Sequence, residues 1–358
     1  MKIIMLVDMD YFFAACEELR HPEYREMPLV VGADPKGGTA RGVVSTCNYV
    51  ARKLGIHSAM PISMAYRLKK DAIFLPVDYP YYESMSSKVM ELVKSFSKRF
   101  EQVSIDEAFV DVTDKVDNFE QAVEYAKALK EDIKNKIGLP CSIGISSSRL
   151  MAKMACEAGK PDGVRLIKGE DAARFLSPLP VEKLYGIGKK TAEKLESMGF
   201  KTVGQLAKAN TVSLVSNFGV FGAELYRSAN GQGDDGIIEN YEIKSIGRER
   251  TFESDTTDRG RIVAQIKSIA DEVYEEAKKQ GVSFKTVTVK IRYHDFSEHL
   301  RSRNIGHYSE ELAEISENAV QLFDMHAEKD ERVRKIGVRV SGLEKRKGQK
   351  KMKDFTAP

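Results

Sequence analysis

The sequence predicts an α+β fold divided into several domains, and three observations support this prediction. Apolar residues recur at helical spacing on either side of residues 103–112, which have the β-branched and aromatic composition of strands. Residues 167–233 have a mostly helical pattern, and residues 285–293 alternate apolar and charged side chains as a half-buried strand does. The chain has 358 residues, which is enough for roughly two to four domains with cores of their own.

The individual elements follow in chain order. Residues 3–7 form an apolar run of buried-strand length, and residues 11–19 then predict a helix. Turn residues separate two short strands, at 28–32 and 42–47, from a helix at 48–54. A helix predicted from its spacing contains Met85, Val89, Val93, Phe96 and Phe100, a second contains Phe119, Ala122, Val123, Ala126, Leu129, Ile133 and Ile137, and a strand at 141–145 and a helix at 149–158 follow. These helices are expected to cover one face of an antiparallel sheet.

Composition excludes several classes of protein. The net charge is only +3 with a pI near 8.4, so overall charge does not by itself indicate nucleic-acid binding. The four cysteines have no C-x-x-C spacing and the six histidines are scattered, which argues against a zinc site and a disulfide framework. No segment has the roughly 18 consecutive apolar residues of a membrane span. We therefore expect a cytoplasmic protein without a membrane partner.

Three carboxylates predict a metal site. The strand at residues 3–7 leads into Asp8, and residues 103–112 carry Asp106 and Glu107 at the tip of a predicted hairpin. Adjacent carboxylates repel each other unless a cation lies between them, and a hard divalent ion prefers oxygen ligands. Side by side, the two segments could hold a pair of ions about 3.5 to 4 Å apart, the arrangement used for phosphoryl transfer. The alternative interpretation is that Asp8 only ends a strand and that Asp106 and Glu107 lie in a solvated turn without a metal ion.

Four segments resemble, in order and spacing, those of the Y-family translesion DNA polymerases. They are Asp-Met-Asp-Tyr-Phe-Phe-Ala at residues 8–14, Asn-Tyr-Val-Ala-Arg-Lys at 48–53, Ser-Ile-Asp-Glu-Ala at 104–108 and Lys-Pro-Asp-Gly at 160–163. The resemblance extends from residue 1 to about residue 345 and is greatest to the DNA polymerase IV type, with archaeal members most similar. Four ordered motifs are far more specific than any one of them.

The resemblance implies a right-hand polymerase with a palm, fingers, a helical thumb and a C-terminal little finger domain. The implied palm is residues 1–10 and 74–166, the fingers 11–73, the thumb 167–233, a linker 234–243, the little finger 244–345 and a flexible tail 346–358. It also implies a likeness in activity: template-directed addition of deoxynucleotides to a primer, with translesion synthesis at low fidelity and without proofreading.

The resemblance also implies roles for individual residues. Two Mg²⁺ ions would be bound by Asp8, Asp106, Glu107 and the Met9 carbonyl, and the incoming nucleotide would be bound by Tyr11, Phe12, Phe13, Thr46, Tyr49, Arg52 and Lys160. Phe13 would be the steric gate that blocks a 2'-hydroxyl. Without the resemblance, residues 11–13 would be interpreted as a core aromatic cluster, and Lys160 as a solvated lysine.

Two regions predict contacts with primer–template DNA. A Gly-Ile-Gly turn before a lysine-rich helix resembles a helix-hairpin-helix element, in which backbone amides approach a phosphate; its residues are Gly186, Gly188, Lys189 and Lys190. Beyond the linker, basic residues on predicted strands would form one basic sheet face with acidic helices behind it. These are Arg248, Arg250, Lys290, Arg292, Arg301, Arg303 and Arg339. A charge run that is simply solvated is the alternative.

The basic tail suggests a protein partner. Gln349, Met352 and Phe355 have the spacing of a sliding-clamp binding peptide, although Thr356 stands where a second aromatic residue is expected. We expect the protein to be a monomer. Two other functions remain open: a nucleotidyl cyclase with a related palm, against which the thumb and basic sheet argue, and a non-catalytic DNA-binding protein, against which the three acids argue.

Overall fold

The computed structural model describes residues 2–233, 236–238, 242–328 and 330–345. Contacts between residues divide the chain into two compact units, Met1–Asn240 and Tyr241–Pro358, and each is described by itself. None of the helices in these described ranges is both long enough and apolar enough to cross a bilayer.

The first unit contains two sheets surrounded by helices. Its strands are β1 Ile4–Met9, β2 Leu29–Gly32, β3 Val44–Cys47, β4 Ile73–Leu75, β5 Phe100–Gln102, β6 Glu107–Asp111, β7 Cys141–Ser146 and β8 Val164–Leu166. Its helices are α1 Phe12–Arg20, α2 Tyr49–Lys53, α3 Ile62–Leu68, α4 Tyr79–Phe96, α5 Phe119–Ile137, α6 Arg149–Gly159, α7 Ala172–Leu176, α8 Lys189–Ser197, α9 Val203–Leu206, α10 Thr211–Phe218 and α11 Val220–Ala229.

The large sheet has the strand order β5-β6-β1-β7-β8 and carries the acidic residues. β1 pairs antiparallel with both β6 and β7, whereas β7 and β8 run parallel, so the sheet is mixed rather than purely antiparallel. Met5 and Val7 face a core shared with α1, α4 and α5, and Ile4 and Leu6 face α6. The prediction that helices cover one face is therefore wrong, because every residue of β1 is buried and the strand needs cover on both faces.

Three local features bear on the predicted elements and on the implied division at residues 11–73. α1 lies within residues 11–73, but its Phe12 and Cys16 pack into the core of the large sheet. β4, which spans the predicted boundary at residue 73, pairs with β2 in a three-stranded sheet of order β3-β2-β4. Phe100 begins β5 and is not on α4, since that helix ends at Phe96.

The helical region after β8 has its own core, in which Leu184, Leu195, Leu206 and Leu225 are buried. A helix-hairpin-helix element has a helix on each side of its turn, but here the short 3-10 turn Val181–Lys183 precedes the Gly-Ile-Gly turn. A second pair of glycines, Gly219 and Gly222, lies at the junction of α10 and α11, which are regular helices. The prediction of a mostly helical segment is confirmed, and only the first helix of the motif is shorter than expected.

The second unit is a four-stranded antiparallel sheet with two helices on one face. Its strands are β9 Ser245–Thr256, β10 Val282–Tyr293, β11 Glu298–Ser309, β12 Val333–Ser341 and the short β13 Glu344–Lys345, and its helices are α12 Arg259–Lys279 and α13 Leu312–His326. The strand order is β11-β10-β12-β9, with β13 paired to β10. Val287, Val289 and Ile291 pack against the two helices, as their alternation predicts.

The prediction that seven basic residues share one sheet face is wrong. Residues directly opposite each other on neighbouring strands point to the same side, and Arg301 is opposite the buried Val289 as Arg248 is opposite the buried Val338. By the same register four arginines of the two edge strands lie on the helix-covered side, namely Arg248, Arg250, Arg301 and Arg303. Three of them bond to the helices: Arg250 to Glu272, Arg248 to Glu276 and Arg303 to Gln321.

The open face of this sheet carries Lys290, Arg292 and Arg339, but it is not uniformly basic. Glu249 bonds to Lys290 at 3.1 Å and to Lys335 at 2.9 Å, and Glu298 bonds to Lys290 and Arg292. Acidic side chains therefore neutralise part of the positive charge on the open face.

Candidate active site

Asp8 and Glu107 lie side by side where two central strands end. Asp8 is opposite Glu107 in the antiparallel register of β1 and β6, which places both side chains on the face that α6 covers. Asp8 is buried and Glu107 is partly buried. Two of the three acids predicted to converge, Asp8 and Glu107, are thus brought together by the register of the two strands.

Asp106 occupies the turn just before β6. Its carbonyl accepts a hydrogen bond from the Met9 amide at 3.0 Å, so the turn is fastened to the end of β1. Its side chain accepts a hydrogen bond from the Ser104 hydroxyl at 2.6 Å, and burial raises its pKa. Within the described ranges, no three acidic, histidine or cysteine side chains surround one point closely enough to hold an ion. Asp106 is thus a neighbour of the Asp8–Glu107 pair but does not complete a three-acid cage in this conformation.

Two lysines neutralise these acids, and one of them was not predicted. Lys153 of α6 lies 2.9 Å from Asp8 Oδ2 and also contacts Glu107 Oε1, while Lys160 lies 2.8 Å from Asp8 Oδ1. Burial raises the pKa of Glu107 to about 7, and its hydrogen bond with Asp8 adds to the effect. Burial alone would raise the pKa of Asp8 too, but its bonds to Glu107 and both lysines hold it below its usual value.

The sequence did contain a signal for Lys153. It lies among Leu150, Met151, Met154 and Ala155, all of which are buried. A lysine in such an apolar run is rarely buried without an acidic partner. The sequence therefore indicated a buried positive charge that needs an acidic partner. Lys153 meets Asp8 because α6 packs on the side of β1 that carries Ile4, Leu6 and Asp8.

Asp10 shapes the loop that carries Lys160. Its buried carboxylate accepts hydrogen bonds from the Ser142 hydroxyl at 3.0 Å and from the Asp162 amide at 2.7 Å. Burial raises the pKa of Asp10 despite these bonds. The loop after α6 is thereby tied to the end of β1, and Lys160 is directed to Asp8.

The three aromatic residues after Asp10 have different environments. Tyr11 adopts a left-handed backbone conformation with φ of 38°, and its hydroxyl donates to Glu18 at 3.1 Å. Phe12 is buried in the large core, so a nucleotide bound at this residue would meet its backbone and not its ring. Phe13 is partly buried and lies at the border of that core.

Asn48 fixes the segment that carries the predicted triphosphate ligands. Its side chain accepts from the amides of Leu29 and Ala51 and donates to Glu18 and to the Met27 carbonyl. All four bonds are between 2.8 and 3.2 Å, and the residue is 1% exposed. Asn48 therefore caps α2 and at the same time ties it to α1.

Tyr49 and Arg52 lie together on α2, near the acids. The Arg52 guanidinium is 4.9 Å from the centre of the Tyr49 ring, which in turn meets the Tyr11 ring edge-on at 5.0 Å. Burial and the charge of Asp10 raise the pKa of Tyr49 to about 12, so its hydroxyl remains a donor. Thr46, on β3, is 8% exposed. Of the side chains predicted to bind the nucleotide, those of Tyr49 and Lys160 interact electrostatically with Asp8.

The predicted helix-hairpin-helix residues lie at an open turn. Gly186 has φ of 91°, and a Cβ placed on Gly186 or Gly188 would meet no atom within 4 Å. Gly188 begins α8, which Lys189 and Lys190 open with exposed side chains. The backbone here is accessible to a ligand, as the motif requires. The tail residues Gln349, Met352 and Phe355 lie outside the described residues.

Comparison with known families places this architecture. Residues 7–157 match the impB/mucB/samB family, residues 169–200 match the helix-hairpin-helix motif of that family, and residues 243–352 match its C-terminal domain. The three matched segments follow the same order as the large sheet, the helical region and the second unit.

Relatives with curated names agree along nearly the whole chain. DNA polymerase IV 2 of Methanosarcina mazei is 40% identical over 96% of this chain and 93% of its own length. DNA polymerase IV of Methanoculleus marisnigri is 42% identical over 96% of this chain and 95% of its own length. DNA polymerase IV of Streptococcus pyogenes serotype M5 is 39% identical over 95% of this chain and 94% of its own length.

Solved structures are similar in fold. A Y-family DNA polymerase chimera built from Dbh and Dpo4 has a TM-score of 0.86 at 30% identity and covers 96% of this chain and all of its own. The insertion ternary complex of Dbh DNA polymerase has a TM-score of 0.67 at 29% identity, covering 96% of this chain and all of its own. The chain therefore belongs to the impB/mucB/samB family, and it is a DNA-directed DNA polymerase of the Y-family translesion type.

Proposed function

We propose that this protein extends a primer on a DNA template by transferring a nucleotidyl group from a deoxynucleoside triphosphate to the primer 3'-hydroxyl. The observation that supports this most is the pairing of Asp8 with Glu107 at the ends of β1 and β6, beside Lys160 and the α2 residues Tyr49 and Arg52. Paired acids next to a cluster of cationic and hydroxyl donors fit a triphosphate whose charge must be neutralised during transfer.

Divalent cations are the proposed cofactor, with two Mg²⁺ ions as the specific expectation. Asp8, Asp106, Glu107 and the Met9 carbonyl would hold them, and a donor set made only of oxygens fits a hard cation. When bound, such ions lower the pKa of the attacking hydroxyl and stabilise charge on the leaving pyrophosphate. Lys153 now neutralises Asp8 and Glu107, so its ammonium group would have to yield to an ion placed between them.

The nucleotide would be held by residues of two elements. Tyr49 and Arg52 of α2 and Lys160 after α6 would bind the triphosphate oxygens, and backbone amides at the start of α1 would add donors. Phe13 would lie beneath the sugar as a steric gate. Val43, which is 48% exposed, and Ser45 would lie over the nascent base pair, with Thr46 near the incoming base. Side chains this small support low fidelity on damaged templates.

The DNA would be held mainly through its backbone. An open turn would offer backbone amides and positive charges from Gly186, Gly188, Lys189 and Lys190. The open face of the second sheet would offer positive charges from Lys290, Arg292 and Arg339. A monomer in the cytoplasm remains our expectation. The spacing of Gln349, Met352 and Phe355 supports a proposed contact with a sliding clamp.

Primer extension tests the proposal. Wild-type protein with Mg²⁺, a primed template and the four deoxynucleotides should extend the primer, and EDTA should stop it. Asp106→Ala should lose extension by about a hundredfold or more while still binding the duplex. A matched control is Asp71→Ala, which removes an exposed aspartate that pairs with Lys69, and it should extend normally. Normal extension by Asp106→Ala would refute the metal assignment.

A further inference from the structure

The ring of Phe13 rests on another aromatic ring. Its centre is 4.4 Å from that of Tyr82, and the two planes differ by 15°, so the rings are stacked. Tyr79 meets Phe13 edge-on, with centres 6.0 Å apart. Tyr82 is fully buried, whereas Phe13 is only partly buried. One face of the Phe13 ring is therefore backed by a side chain that has no room to move away.

Tyr82 is itself fixed by a buried carboxylate. Its hydroxyl donates to Glu17 Oε1 at 2.8 Å, and Glu17 is four residues after Phe13 on α1. Burial raises the pKa of Tyr82, so the hydroxyl remains neutral and can donate. Phe13, Tyr82 and Glu17 thus form one connected group, which we call the gate unit. Helix α1 supplies Phe13, which stacks on Tyr82, and also Glu17, which accepts the hydrogen bond that holds Tyr82 in place.

The first turn of α4 is fastened to α1 at other points as well. The Tyr81 hydroxyl donates to the Cys16 carbonyl at 3.2 Å, and Arg20 pairs with Asp78 at 3.0 Å and lies 3.7 Å from the centre of the Tyr81 ring. These contacts hold the two helices together without touching Phe13. The Tyr82–Glu17 bond can therefore be removed while the packing of α1 on α4 is retained.

We propose that Tyr82, held by Glu17, is a positioning residue that fixes the Phe13 ring in its observed position. It would thereby determine how strongly the enzyme discriminates against ribonucleotides. This inference rests on the proposed function, in which Phe13 is the steric gate. A ring excludes a 2'-hydroxyl only if it cannot retreat, and close packing against a fixed ring prevents the retreat. Tyr82 itself would not touch the nucleotide.

Two substitutions and one control test the proposal. Tyr82→Leu removes the stacked ring, and Tyr82→Phe keeps the ring but removes the bond to Glu17. The control, Tyr81→Phe, removes the hydroxyl oxygen of the preceding residue, which bonds to the Cys16 carbonyl and not to Phe13, Tyr82 or Glu17. The readout is the ratio of kcat/KM for dCTP to kcat/KM for CTP opposite a template guanine. Because both values come from one preparation, the ratio does not depend on the folded fraction.

The ratio should fall about five- to tenfold in Tyr82→Leu, the loss expected when an aromatic pair is removed. It should fall about two- to threefold in Tyr82→Phe, in keeping with the loss of one neutral hydrogen bond. It should remain within the error of wild type in Tyr81→Phe. A ratio equal to that of wild type in either Tyr82 variant would overturn the proposal, as would an equal fall in Tyr81→Phe. If Tyr82→Leu does not fold, Tyr82→Phe decides.

Phe13→Ala distinguishes the proposed role of Tyr82 from the proposal that Phe13 is the steric gate. If Phe13→Ala lowers the ratio and the Tyr82 variants do not, the gate is retained and its support by Tyr82 is refuted. If Phe13→Ala leaves the ratio unchanged, Phe13 is not the gate, and both assignments fall while primer extension itself is unaffected.

Discussion

Lys153 joins Asp8 to Glu107: its Nζ lies 2.9 Å from Asp8 Oδ2 and contacts Glu107 Oε1 as well. Asp8 lies near the end of β1 and Glu107 at the start of the neighbouring β6, and Lys153 reaches both from α6 on the sheet face that carries them. Its side chain is only 10% exposed. The lysine thus occupies the place where we propose that divalent ions bind, so it and an ion should compete for the same oxygens.

Lys153→Met should destabilise the metal-free protein, because the variant leaves the buried Asp8 and the partly buried Glu107 without their shared cation. The expected loss is about 3 kcal/mol of unfolding free energy, as for other buried pairs that lose one partner. Thermal unfolding in EDTA measures it. Added Mg²⁺ should raise the Tm of the variant more than that of wild type, because the ion no longer has to displace an ammonium group. Lys127→Met, which removes an exposed partner of Glu124, is the control; an equal Tm for both variants in EDTA would contradict the prediction.

Asn48→Ala should weaken both the fold and nucleotide binding. The change leaves the amides of Leu29 and Ala51 without acceptors and frees α2 from α1, at a cost of about 3 kcal/mol. Because α2 carries Tyr49 and Arg52, the KM for deoxynucleotides should rise several-fold. Steady-state extension and urea unfolding measure the two effects.

A second asparagine cap provides the control for Asn48. Asn118 caps α5 through one bond to the Gln121 amide at 2.8 Å, in an exposed position. Asn118→Ala should cost about 1 kcal/mol and leave KM unchanged. A KM for Asn48→Ala equal to that of wild type would show that α2 does not depend on Asn48 for its position.

The acids of the site could be predicted from the sequence, whereas the partners of Lys153 could not: its apolar surroundings indicate a buried charge but not which acids it meets. Asp8 ends an apolar run and Asp106 and Glu107 interrupt a strand-like segment, so local pattern is enough to single them out. Lys153 reaches Asp8 only because α6 packs very closely on β7. A Cβ on Gly144 would lie 2.0 Å from the Ala152 carbonyl oxygen, so glycine is required there. Such an approach between distant segments is tertiary information that a local pattern does not contain.

The arginines of the second unit show a related limit. Alternation within one strand correctly placed Val287 and Val289 on one face and Lys290 on the other. Relating one strand to another requires the register, and a shift of one residue moves every side chain to the opposite face. Grouping the basic residues by charge alone therefore put Arg248 and Arg301 on the wrong face of the sheet.

Asp111 should contribute an acid-sensitive part of the stability. Burial would raise its pKa, but hydrogen bonds from Thr113 and an ion pair with Arg99 at 3.3 Å outweigh burial and hold the pKa below its usual 3.8. A carboxyl whose pKa is lower in the folded than in the unfolded state stabilises the fold at pH values above its unfolded-state pKa. That stabilisation is lost as the pH falls through the folded-state pKa. Wild type should therefore lose stability below about pH 4 more steeply than Asp111→Asn does, as measured by urea unfolding at several pH values. Thr113→Val should show an intermediate slope, and equal slopes for wild type and Asp111→Asn would contradict the assignment.

Glu101 should hold the last described residues of the first unit against the large sheet. Its buried carboxylate accepts a hydrogen bond from the Ile238 amide at 2.8 Å and pairs with Arg149 at 2.6 Å, while Ile237 packs beside Phe109. In Glu101→Ala the amide and the guanidinium lose a common acceptor, so hydrogen exchange at Ile238 should be at least about tenfold faster, the effect of about 1.4 kcal/mol. Amides within β1 should exchange as in wild type, and Glu120→Ala, which removes an exposed partner of Lys168, should change neither. Unchanged exchange at Ile238 would mean that apolar packing of Ile237, and not Glu101, holds this segment to the sheet.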